Sequence, residues 1–316
     1  MKYLILLVIF FILQLLYFKI ADKFNIIDKP NLRSSHKDIT LRGGGILFYI
    51  GVLLYFLMCG FQYPWFFAGL TLIAGIGFFE DLQPRSAMLR LLIHFSAMLL
   101  MFYQWGLFSY PWYFIIAGLV FCVGILNAYN FMDGINGITG GYSLVLVTTL
   151  CYINNYQVTF IDNELLYITG LTLLVFNFFN FRTKAKCFAG DVGAMSIAFI
   201  LVFLIGMLII KTKDFSYIIL LAIYGVDAVL TIIHRLMLRE NVLVAHRMHV
   251  YQIMANELKI PHVVVSLIYM LLQMMITVGL FVASEYRWLY VVSVLLSLSV
   301  VYIIFMKKHF HTHQNT

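Results

Sequence analysis

The chain has 316 residues, of which 63% are hydrophobic and only 11% charged. No soluble domain has that balance, and the composition leaves a polytopic membrane protein as the class to pursue. The formal net charge of +7 raises nucleic acid as a partner, but the placement of the charges, below, excludes that reading.

Apolar runs long enough to cross a bilayer core follow one another from end to end. They predict an all-α fold of about eleven membrane helices near 2–19, 43–61, 64–79, 88–108, 111–129, 140–154, 164–180, 192–210, 216–234, 262–282 and 286–306. The first run has no small-residue cleavage site and reads as a retained span rather than a leader. The short connections leave room for one membrane-embedded domain, residues 1–316, with no large soluble module. Cys59, Cys122, Cys151 and Cys187 have no paired spacing, and neither a disulfide nor a zinc site is expected.

Connections after odd-numbered runs, together with the tail, hold 17 of the 21 Lys and Arg. By the positive-inside rule this puts the N-terminus outside and the C-terminus in the cytoplasm. The positive charge therefore reports membrane orientation, not nucleic acid. The cytoplasmic segments (about 20–42, 80–88, 127–140, 181–192 and 235–261) also hold almost every unusual residue.

The first of these segments runs through Lys37 and Arg42 into Gly43-Gly44-Gly45. Basic side chains and free backbone N–H groups at a helix start suit phosphate, although a plain positive-inside anchor has the same composition. Glu80-Asp81 closes the third run. Adjacent carboxylates at a membrane boundary must be paired, hydrated or metal-bound, and can raise one another's pKa enough to accept a proton. Next comes the most informative stretch, Asn127-Ala128-Tyr129-Asn130-Phe131-Met132-Asp133-Gly134-Ile135-Asn136-Gly137. Polar groups three residues apart lie on neighbouring turns of one helix face, and carboxylate and amide oxygens suit Mg²⁺. Asp191, in Gly190-Asp191-Val192-Gly193, opens the eighth run, where a carboxylate can cap the helix or hold a metal near phosphate. Asp227 lies deep in the ninth run, a candidate for function or packing. The longest cytoplasmic segment carries His246-Arg247-Met248-His249, read as phosphate contacts.

Taken in order, the GGG after a basic loop, the acidic pair, NAYNFMDGINGI, FAGDVGA and AHRMHVYQ resemble the polyprenyl-phosphate N-acetylhexosamine-1-phosphate transferases. The likeness runs over nearly the whole chain. RSSHxxxTxRGGG and AHRxHxYQ are similar to the branch that initiates surface polysaccharides. Two positions depart from the family pattern: Glu80 stands where an Asp is usual, and Asn136 replaces the second Asp of DGxDG. Asn cannot act as a base or add metal-binding charge, so Asn136 is expected to contact nucleotide or sugar.

The resemblance implies transfer of a sugar-1-phosphate from a UDP-N-acetylhexosamine to undecaprenyl phosphate, releasing UMP, at the cytoplasmic face of a bacterial cytoplasmic membrane. It implies Mg²⁺, with Mn²⁺ as a substitute, held by Asp191 and Asp133. Asp81 with Glu80 would face the lipid phosphate. Asn127, Asn130 and Asn136 would position the donor, and Lys37, Arg42, His246, Arg247 and His249 would hold phosphate. A homodimer is compatible with it. Other readings are a phospho-N-acetylmuramoyl-pentapeptide transferase, a lipid or sugar transporter, and an inactive scaffold.

Overall fold

A computed structural model of the chain describes residues 1–30, 35, 38–241 and 247–309. It is almost wholly helical. In chain order the elements are α1 (Lys2–Lys23), the two-residue strands β1 (Ile27–Asp28) and β2 (Thr40–Leu41), α2 (Ile46–Met58), α3 (Pro64–Leu82), α4 (Ala87–Gln104), α5 (Trp112–Met132), α6 (Ile138–Tyr156), α7 (Asn163–Asn180), α8 (Gly190–Thr212), α9 (Ala222–Met237), the single turn α10 (Val250–Gln252), α11 (His262–Val282) and α12 (Arg287–His309). Ten of the eleven apolar runs each form the body of one helix, and the ninth divides into a 3-10 segment, Phe215–Leu221, followed by α9. Among the described residues eight helical stretches are long and apolar enough to cross a membrane; α2 is a shorter apolar helix, and α6 and α7 are not among the eight.

The bundle is built around α8. From Val192 to Ile205 every residue of this helix is buried, as its sequence requires: the stretch is apolar on all sides and has no face to give to solvent. Helices α2, α3, α5 and α6 pack on it. Most of the others show apolar side chains outward, such as Leu4, Val8, Ile12 and Leu16 on α1 and Leu296, Val300 and Ile304 on α12. On a soluble protein such surfaces would drive association; here they form the face toward lipid.

Successive long helices alternate in direction, so the polar groups gather at two opposite ends of the bundle. At one end Lys2 pairs with Glu164 at 2.8 Å and Arg287 with Asp214 at 2.6 Å. The other end carries the hairpin and the ends of the helices bearing Asp81, Asp133 and Asp191. In the hairpin Ile27 faces Leu41 and Asp28 faces Thr40, antiparallel. Its second strand runs on into a backbone zipper with the segment before α8: Phe188 N–H donates to the Leu41 carbonyl at 2.8 Å, Gly44 N–H to the Phe188 carbonyl at 2.8 Å, and Gly45 N–H to the Ala189 carbonyl at 3.0 Å. Those bonds set Arg42 beside the first turn of the central helix.

Candidate functional site

The site begins with a close approach. Gly77 of α3 lies against the start of α8, where an added Cβ would be 2.7 Å from Val192 Cα and 2.9 Å from the Asp191 carbonyl carbon. Only glycine lets the two helices come this near. One turn further along α3, Asp81 then reaches the exposed N–H groups at the N-terminus of α8. Its Oδ1 accepts from Asp191 N–H at 2.9 Å and its Oδ2 from Val192 N–H at 3.1 Å. Asp81 thus caps a helix other than its own, and the positive end of the α8 dipole favours its charge. Gly190, with φ of +71°, makes the turn before it; an added Cβ there would run into the Asp81 carboxylate and stand 2.7 Å from Gly43 N.

Arg42 joins this arrangement from the hairpin. Its Nε donates to Asp81 Oδ1 at 2.6 Å and its Nη2 to Asp191 Oδ2 at 3.0 Å, while Tyr17 of α1 donates its hydroxyl to the Arg42 carbonyl at 2.7 Å. The Asp81 side chain is fully buried, whereas those of Arg42 and Asp191 keep about a third and a fifth of their surface. Both Asp81 oxygens are engaged. The geometry makes this residue an anchor for Arg42 and α8.

Above these groups opens a cavity of about 200 Å³, lined by Asp28, Arg42, Asn130, Asp133, Asn136 and Asp191, together with Ser35, Asn180, Phe188, Gln252 and His262. Asp133 follows the last residue of α5, and its N–H donates to the Asn130 carbonyl at 3.3 Å. Burial raises its carboxyl to about 6, with the negative charge of Asp191 adding to the rise and Arg42 opposing it. Asn136 is turned toward the neighbouring loop. Its amide donates to the Arg182 carbonyl at 2.9 Å and to the Thr183 carbonyl at 3.1 Å, and its own carbonyl accepts from the Ser266 hydroxyl at 2.8 Å.

The structure thus brings Arg42, Asn130, Asp133, Asn136 and Asp191 together on one cavity with Asp81 beneath. Other residues singled out from the sequence lie elsewhere. Glu80 does not pair with its neighbour toward a ligand: consecutive residues on α3 point about 100° apart, and Glu80 faces Arg90 of α4 at 3.4 Å. Asn127 bonds back to its own helix, its amide 2.8 Å from the Val123 carbonyl. His249 is buried, 1% exposed, with Nδ1 3.2 Å from Asp227 Oδ1. Asp227 also accepts from Tyr269 at 2.7 Å, Val250 N–H at 3.1 Å and Thr231 at 3.3 Å. The deep carboxylate is therefore the post to which the His249–Gln252 turn is tied, and Gln252, not His249 or Arg247, lines the cavity. Lys37 and His246 lie outside the described residues.

Some residues at the cavity drew no attention from the sequence. Asn180 is the clearest. Its Oδ1 accepts from Gly137 N–H at 2.8 Å and its Nδ2 donates to the Cys187 carbonyl at 2.8 Å, clamping the Asp133–Gly137 turn to the segment before Asp191. The available signal was an amide ending an otherwise apolar run.

Three carboxylates, Asp28, Asp133 and Asp191, face the cavity against one guanidinium. Such a site repels a polyanion unless a cation comes with it. Among the described residues no three Asp, Glu, His or Cys side chains converge as a ready-made metal cage. The donor set fits Mg²⁺, which takes one or two carboxylates and completes its shell with water and phosphate oxygens.

Fold and site together define a multi-pass membrane protein with an acidic cavity at one end of its bundle. The model of glycosyl transferase family 4 matches residues 63–210, a little under half of the chain. It is similar to a Bacillus subtilis (strain 168) protein named "Probable undecaprenyl-phosphate N-acetylglucosaminyl 1-phosphate transferase", at 27% identity over 256 residues, 74% of this chain and 70% of the relative. It is also similar to the undecaprenyl-phosphate alpha-N-acetylglucosaminyl 1-phosphate transferase of Yersinia pestis, at 26% identity over 57% of this chain and 55% of that one. The phospho-N-acetylmuramoyl-pentapeptide-transferase of Latilactobacillus sakei matches at 31% identity, but over only 39% of this chain and 37% of its own length. The match thus spans from little more than a third to about 70% of these relatives.

Proposed function

We propose that the chain transfers an N-acetylhexosamine-1-phosphate from a UDP-sugar to undecaprenyl phosphate, giving undecaprenyl-diphospho-sugar and UMP, as the first membrane step of a cell-surface polysaccharide. One observation carries the proposal beyond the similarity to these relatives. Three carboxylates and an anchored arginine share a cavity at the end of a membrane bundle, where a water-soluble diphosphate and the head of a lipid phosphate can meet. The Bacillus and Yersinia relatives are named for N-acetylglucosamine, which makes UDP-N-acetylglucosamine the first donor to test. The muramoyl-pentapeptide reading is the weaker, because its relative matches over a much shorter stretch.

In this reading Asp191 and Asp133 hold Mg²⁺, with Mn²⁺ as a substitute; the ion would neutralise charge building on the leaving UMP. Arg42, fixed by Asp81, binds a phosphate oxygen through the face it now presents to Asp191. Asn130 and Asn136 position the nucleotide and sugar. Asp227 and His249 act on the cavity indirectly, by holding Gln252 in place. The cavity end carries Arg42, Arg85, Arg90, Arg182 and Lys184, which supports its placement at the cytoplasmic face of the bacterial inner membrane.

The test uses purified protein in detergent with undecaprenyl phosphate, Mg²⁺ and a panel of UDP-sugars, scoring UMP and lipid-linked product. Product with one sugar, lost on chelation and restored by Mg²⁺, is expected. No product with any sugar, while a muramoyl-pentapeptide control enzyme works alongside, would overturn the reading.

A further inference from the structure

A second opening lies on the far side of α3. Gly77 packs on α8, and Gly75, two positions earlier and about 200° around the helix, faces away from it. Nothing stands within 4 Å of a Cβ built at Gly75. It forms part of the wall of a groove of about 440 Å³ between α3 and α4, lined by Leu72, Ile76 and Phe79 on one side and Leu89 and Ile93 on the other. Arg85, in the connection between the two helices, lines the end nearest the catalytic face. Its guanidinium lies 5.6 Å from the centre of the Phe79 ring, and among the described residues it has no carboxylate partner.

We propose that this groove binds one anionic bilayer phospholipid, with its phosphodiester on Arg85 and the upper part of an acyl chain along Leu72, Ile76 and Ile93. The charge fits a phosphate at the membrane surface and the walls fit a hydrocarbon chain. The length selects among lipids. From Thr71 to Phe79 the helix rises about 12 Å, within the roughly 15 Å hydrocarbon depth of one leaflet. A bilayer acyl chain ends at that depth, whereas a long polyprenyl chain would overrun the groove. The groove is separated from the Asp81–Asp191 site by the body of α3, so its occupant is distinct from the acceptor lipid of the proposed reaction.

The experiment is native mass spectrometry of the full chain from micelles containing phosphatidylglycerol or phosphatidylcholine, with wild type, Arg85→Gln and Gly75→Leu. One phosphatidylglycerol is expected to be retained by wild type and bound roughly fivefold more weakly by Arg85→Gln, matching about 1 kcal/mol for one juxtamembrane basic residue. Gly75→Leu should lose that lipid by filling the groove, and phosphatidylcholine should not distinguish Arg85→Gln from wild type. Circular dichroism melting checks that each variant is folded; should Gly75→Leu fail, Arg85→Gln alone decides. Equal phosphatidylglycerol retention by Arg85→Gln and wild type would overturn the proposal. So would Arg85-dependent binding of undecaprenyl phosphate in preference to phosphatidylglycerol.

Discussion

At the residue scale the acidic groups of the site divide by what already binds them. Asp81 has both oxygens engaged by Arg42 and by the first N–H groups of α8, whereas Asp133 and Asp191 face the cavity. Asp191→Asn and Asp133→Asn should therefore lower turnover at least about 10²-fold, the scale seen when a group stabilising transition-state charge is removed, while leaving the melting temperature close to wild type. Asp81→Asn should behave differently. Its amide would set a donor against Arg42 or the backbone N–H groups, so stability should fall by about 3 kcal/mol, within the range for breaking a buried ion pair. Thermal unfolding beside turnover checks the contrast: a stable but inactive Asp81→Asn would show that its charge is spent on chemistry, not on holding α8. The sequence carried the identity of these residues but not this division. Glu80 and Asp81 are adjacent in the chain, and which of them met the centre of the protein depended on Gly77 lying against Val192, a contact between segments more than a hundred residues apart.

At the scale of the element, the apolar runs announced the helices because a membrane leaves the backbone no alternative to internal hydrogen bonding. The ends were less legible. Helix α1 continues to Lys23 and α12 to His309, since charged side chains are tolerated in a helix once it reaches the interface. The ninth run divides into a 3-10 segment over Phe215–Leu221 and then α9, a change of hydrogen-bond pattern that hydropathy does not record. The turn of α10 was invisible for another reason: it is held in place by Asp227, more than twenty residues earlier in the chain. That dependence is testable. Asp227→Asn removes the charge that gathers His249, Val250 and Tyr269, and should loosen the segment after α9. Tryptic cleavage at Arg239 and Arg247 should accelerate several-fold, and turnover should fall although residue 227 does not line the cavity. Tyr269→Phe, which removes one of those bonds, should show the same changes more weakly, at a cost of about 1 kcal/mol. Unchanged cleavage in both variants would mean that the turn is held without Asp227.

For the whole molecule, the question left by the fold is which way it sits in the membrane. The bundle has two polar ends of unequal character. One presents Lys2, Lys211, Lys213 and Arg287, of which Lys2 and Arg287 are matched by acidic partners; the other carries the acidic cavity and a larger set of basic residues, including Arg42, Arg85, Arg90, Arg182, Lys184 and Arg235. In the proposed orientation, with basic segments retained on the cytoplasmic side during insertion, the cavity faces the inside of the cell, where a soluble nucleotide-sugar could reach it. Cysteine labelling in intact cells tests this directly. The background is Cys59→Ser with Cys151→Ser, because both cysteines are half-buried toward the far end, whereas Cys122 and Cys187 are buried; the background itself is labelled as the blank. Lys184→Cys, at a side chain 86% exposed, should stay unlabelled by an impermeant maleimide until the membrane is opened. Tyr110→Cys, exposed between α4 and α5, should be labelled at once. The reverse pattern would put the cavity on the outer surface, away from any cytoplasmic nucleotide-sugar. It would refute the proposed reaction even if the fold stood.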